Sequence, residues 1–138
     1  MRIFFCAILF SLLSLGGYSQ TKQPRPKTVG IIQEFNGIVT NSVQYDGDNF
    51  FTLEDVNKKE IDFYFSASGC FPEGDPEALE VDIDSELSDL LIDVSSAPSP
   101  IKVKVTAKST YGYFCLPCDE CEQEKVIIWR PTKVVRIN

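Results

Sequence analysis

The chain contains no histidine. Without imidazole there is no Ser–His or Cys–His nucleophile pair, no His-ligated zinc and no imidazole acid–base catalysis, so the commonest routes to an enzyme are closed. Basic charge is scarce as well: 13 Lys and Arg stand against 20 Asp and Glu, a net charge of −7. A chain of that sign repels phosphate backbones and anionic headgroups, which argues against nucleic acid and membrane surfaces as partners. The sequence also lacks an apolar run of the roughly 20 residues that a membrane-spanning helix needs. No internal repeat is visible.

What is present begins with an address. Arg2, the apolar run over residues 3–15, and the small residues Gly16, Gly17 and Ser19 follow the order of a secretory signal peptide. Cleavage is expected after Ser19, with no stable membrane anchor retained. Cys6 lies inside the apolar run, whereas a lipidated cysteine would follow it. The expected location is therefore outside the cytoplasm, either periplasmic or fully secreted. Removing residues 1–19 takes Arg2 with it and leaves 119 residues of net charge −8, enough for one domain with a modest core. Residues 20–27 (QTKQPRPK) hold two prolines, three basic residues and nothing hydrophobic. They predict a flexible, extended arm ahead of a single domain over residues 28–138.

Hydrophobic alternation organises that domain. Residues 28–40 are β-branched and apolar, with Gly30 and Gly37 inside, which predicts a long bent first strand. Asp46-Gly47 is a hairpin signal. Residues 49–56 form a second strand, Asn57-Lys58-Lys59 a turn, and residues 60–66 a third strand with Ile61, Phe63 and Phe65 on one face. Gly and Pro make residues 67–76 a loop. Leu79, Val81 and Ile83 alternate briefly as a strand. Leu87, Leu90, Leu91 and Val94 then recur at helical spacing after a cap at Asp84 or Ser85, predicting a helix over 85–94. Residues 101–108 alternate again, with Ile101, Val103, Val105 and Ala107 inward and Lys102, Lys104 and Lys108 outward. Residues 111–124 are expected to be a cysteine-rich loop, and residues 125–138 one bent strand or two short ones parted at Pro131.

The fold class expected is mostly β: a small five-stranded Greek-key barrel with one short helix between strands 3 and 4. In that order of elements, over residues 28–137, the chain resembles an OB-fold. The resemblance rests on element order and the glycine-bent first strand; a lipocalin-like barrel and a β-sandwich are the alternatives, and both call for more strands than the pattern provides.

Four cysteines survive signal removal: Cys70, Cys115, Cys118 and Cys121. An even number in a small exported domain points first to two disulfides of unknown pairing. In each of the three connectivities Cys70 bonds into the C-terminal cluster. A bridge closing about 45 residues contributes roughly 4 kcal/mol at most in the chain-entropy model. The alternatives are a zinc site with all four as ligands, which an oxidising compartment disfavours, and a thiol–disulfide oxidoreductase using Cys115-Leu116-Pro117-Cys118. Asp119, Glu120, Glu122 and Glu124 would raise thiol pKa values there and suppress reactivity. Asp82, Asp84, Glu86 and Asp93 fall at EF-hand offsets, but Leu87 stands where the loop requires glycine, so a solvated acidic helix face is the reading.

No catalytic residue, cofactor or resident metal is assigned. Tyr111, Tyr113 and Phe114 cluster beside the cysteines and are the candidate binding surface. The expected function is an exported, non-enzymatic binding or accessory module, stapled by disulfides, for an envelope protein, peptide or glycan.

Overall fold

The computed structural model describes residues 25–45, 47–69, 71, 73–115 and 123–138. The expected signal peptide, most of the arm, and Cys70, Cys118 and Cys121 lie outside the described residues.

Strand β1 (Ile32–Tyr45) turns Phe35 and Val39 into the core, while its polar end, NSVQY, continues the backbone ladder to β2 (Asp48–Glu54). It starts later and ends later than the expected 28–40, since hydrogen bonding carries a strand through residues whose side chains give no signal. Gly47, at φ +87°, takes the turn between them. Strand β3 (Glu60–Ala67) follows antiparallel, after a turn in which the Asp55 carboxylate accepts from the Asn57 and Lys59 amides.

The chain then forms the short β4 (Asp82–Ile83), α1 (Ser85–Ile92) and a single 3-10 turn (Val94–Ser96). Two long strands close it, β5 (Lys102–Cys115) and β6 (Gln123–Arg136), paired antiparallel along nearly their whole length. β6 is continuous: Pro131 does not break it, and the extra residue opposite the Thr106–Ala107 step is absorbed as a bulge at Thr132.

The pairing order is β3-β2-β1-β5-β6, and a parallel contact at Phe63 and Trp129 joins β3 back to β6. Five strands therefore close in a ring, and β4 adds to β6 as a sixth. This is the mostly β class expected, with α1 between the third and fourth long strands.

Inside the ring, Phe35, Phe51, Leu53, Phe63, Val103, Val105 and Trp129 form the core. Phe35 sits edge-on to both Phe63 and Trp129, with centroids 5.1 Å apart in each pair. The inward set read from residues 101–108 is buried as expected.

Leu87 and Leu91 of α1 complete this core from the helix side. Asp84 is the N-cap, accepting from the Glu86 and Leu87 amides at 3.0 and 3.3 Å. The other end of the helix is held by β1: the Ser42 hydroxyl donates to Ile92 O and accepts from Val94 N. Among the described residues no helix is long and apolar enough to cross a membrane.

Gly37 is where β1 passes closest to β2. A Cβ there would lie 2.2 Å from the Glu54 carbonyl oxygen, a backbone atom that cannot swing aside. Gly37→Ala is expected to destabilise the fold by about 1–3 kcal/mol, read from the shift in urea midpoint at constant slope.

Candidate functional site

The described residues of the segment expected to be a loop over 111–124, namely 111–115 and 123–124, are strand. Tyr111, Tyr113 and Phe114 belong to β5, and Gln123 and Glu124 to β6, with Tyr113 opposite Lys125 and Cys115 opposite Gln123. Tyr, Phe and Val favour the pleated backbone, so the ladder runs on to the pair Cys115 and Gln123. Cys115 ends a strand and does not stand at a helix N-terminus, which would favour a thiolate.

Strand alternation divides the three aromatics between two faces. Tyr111 and Tyr113 share one. There Lys125 Nζ lies 3.8 Å from the centre of the Tyr111 ring and 5.8 Å from that of Tyr113, and Phe71 meets Tyr113 edge-on at 5.2 Å. Both tyrosines are partly exposed.

Phe114 faces the other way and packs edge-on against Tyr64 at 5.6 Å; Tyr64 in turn lies 4.8 Å from Phe50. With Ala67 and Ile128 these form a second hydrophobic cluster, separate from the ring's core. The three residues therefore do not make one surface. Tyr111 and Tyr113 remain a candidate contact face, while Phe114 is part of a packed cluster.

Beneath the hairpin is a feature that the sequence pattern does not signal. Arg130 of β6 and Asp75 form an ion pair with side chains only 1% and 2% exposed. The carboxylate of Asp75 also accepts from Ala67 N at 3.0 Å and Glu77 N at 2.9 Å, and Arg130 Nη2 donates to Tyr111 O at 3.2 Å. One pair thus ties the end of β3, the segment after it, β5 and β6 together at the base of the Tyr111–Tyr113 face. Among the described residues, Nε and Nη1 of Arg130 have no hydrogen-bond partner.

The acids that matched EF-hand offsets are spent on local structure. Asp84 caps α1, and Asp82 lies 3.5 Å from Lys133. Among the described residues no group of three or more His, Cys, Asp or Glu could hold a metal ion.

Burial pushes the Tyr64 hydroxyl above its ordinary pKa of 10.0, and Asp62 and Asp48 add to the rise against the opposing charge of Arg25.

No protein-family model, curated protein or solved structure matches this chain.

Two outcomes follow from this geometry. Asp75→Ala strands a buried guanidinium and should cost about 3–5 kcal/mol, whereas Asp75→Leu combined with Arg130→Met should recover most of that loss, both read by urea denaturation. The folded state holds the Tyr64 proton after the unfolded chain has lost its own. Stability should therefore fall as pH rises above about 10, and Tyr64→Phe should show a shallower alkaline decline in melting temperature.

Proposed function

We propose that this chain is an exported, non-enzymatic binding module of OB-fold-like topology, braced by disulfides among Cys70, Cys115, Cys118 and Cys121. The ring order β1-β2-β3-β6-β5, with the helix between β3 and β5, supports the topology. The four cysteines that remain after signal removal, an even number in a small exported domain, support the disulfide framework. Arg2 and the apolar run after it support export.

The observation that carries the binding reading is the pair Tyr111 and Tyr113. Two aromatic rings stand side by side on a hairpin, outside either hydrophobic cluster, with Lys125 across them and Phe71 at their flank. Stacking area beside a cation suits an extended peptide or a sugar ring, both of which have apolar faces and hydrogen-bonding edges. The scaffold beneath is held by the Arg130–Asp75 pair, so little side-chain order has to be gained on binding.

The test compares the mature chain, residues 20–138, with a Tyr111→Ser, Tyr113→Ser variant on peptide and glycan arrays. Ligands bound by the unaltered chain and lost by a variant of unchanged melting temperature bear the reading out. Arrays on which the two proteins behave alike contradict it. Intact mass of the same material should fall short of the reduced chain by two hydrogens per bridge, without bound zinc and without turnover in insulin reduction. Four free thiols, bound zinc or catalytic turnover would contradict the disulfide-braced, non-enzymatic form of the proposal.

A further inference from the structure

The ring closes at its thinnest point between β3 and β6, where a single registered pair, Phe63 and Trp129, joins the strands. On this seam lies a cavity of about 80 Å³ lined by Glu60, Ile61, Asp62 and Tyr64 from β3 and Ile128 and Trp129 from β6. The remaining lining comes from the chain's own arm, Arg25 and Pro26. The arm is not simply solvated along its length: the Arg25 guanidinium lies 5.9 Å from the Phe114 ring centre and beside Tyr64.

The surroundings of Arg25 and Pro26 suit them in two respects. The acids Glu60 and Asp62 line the same cavity as the Arg25 guanidinium, and that guanidinium lies over the Phe114 ring. A proline beside the arginine keeps the segment extended and limits the conformational entropy lost on docking.

We infer that the β3–β6 seam is a recognition groove for an extended peptide bearing an arginine followed by proline, and that Arg25-Pro26 is its resident self-ligand. A partner with this chemistry enters by displacing the arm. The tether keeps the arm at an effective concentration in the millimolar range, so the groove answers only to a partner present in excess or bound more tightly. The inference deepens the binding-module reading and rests on it, but it uses a different surface. The groove adjoins the Phe114 side of the hairpin, opposite Tyr111 and Tyr113.

Trp129, the one tryptophan of the chain, lines the groove and reports on it by fluorescence. The probe is a synthetic peptide of residues 20–27, QTKQPRPK, titrated into the unaltered mature chain and into an Arg25→Ala, Pro26→Ser variant. The variant, its groove vacated, should bind the peptide at least about tenfold more tightly than the unaltered chain, whose arm competes. The affinity should drop when the peptide's own arginine is replaced by alanine. It should also drop when Glu60→Gln and Asp62→Asn are added to the vacated variant.

Equal affinity for both proteins, no binding to the vacated variant, or indifference to the peptide's arginine would each overturn the inference. A dimer of the unaltered chain that Arg25→Ala dissociates would make a second copy the occupant, and overturns it equally. The Tyr111→Ser, Tyr113→Ser variant should bind the probe as the unaltered chain does, so failure of this groove and failure of the tyrosine face are scored separately.

Discussion

The interaction on which the rest of the structure depends is the buried contact between Arg130 and Asp75. A fully paired charge couple is a poor source of net stability, because removing both ions from water offsets most of their mutual attraction. Two Arg130 nitrogens that find no partner among the described residues weaken the balance further. What the pair supplies is position. Asp75 gathers the amides of Ala67 and Glu77, and Arg130 gathers the Tyr111 carbonyl, so four parts of the chain meet at one point. An apolar contact of similar size would hold them together without holding them in register.

That anchoring also bears on the binding surfaces proposed for the outside of the ring. The ring interior is filled by interlocking aromatics, Phe35, Phe51, Phe63 and Trp129. The proposed surfaces therefore lie on the exterior, where the β5–β6 hairpin extends past the core and shows different side chains on its two faces. One face presents Tyr111 and Tyr113 with Lys125 across them. The other buries Phe114 against Tyr64 and leads to the seam where Arg25 rests. Both faces share the same anchored backbone, so a change in one strand's position would move both.

Where side chains alternate between core and solvent, the architecture was legible in the sequence. Residues 60–66 and 101–108 are two such stretches, and Leu87 and Leu91 marked the helix in the same way. The pattern failed where neither face is plainly core or plainly solvent. In β5 beyond Thr110, Phe114 joins a second cluster while Tyr111 and Tyr113 stay half-exposed, so no period of two separates buried from exposed, and strand resembled loop. The polar end of β1 failed for the opposite reason, since backbone pairing held it with no help from apolar side chains. Asp75 stands within a run of acids that looks uniformly solvated, and its partner is 55 residues away in sequence. Nothing local distinguishes it from Glu73 or Glu77. Tyr111 and Tyr113 were expected in a loop and stand in a strand.

The central claim is that the segment carrying Asp75 is fixed to the sheet from below and does not lie loosely on its surface. Amide hydrogen exchange of the native chain tests this directly, because the Ala67 and Glu77 amides both donate to the buried carboxylate. The account predicts that both are protected to nearly the level of the core amides of β3 and β5, opening only with global unfolding. Exchange of the Glu77 amide at the rate of a solvated loop would contradict it.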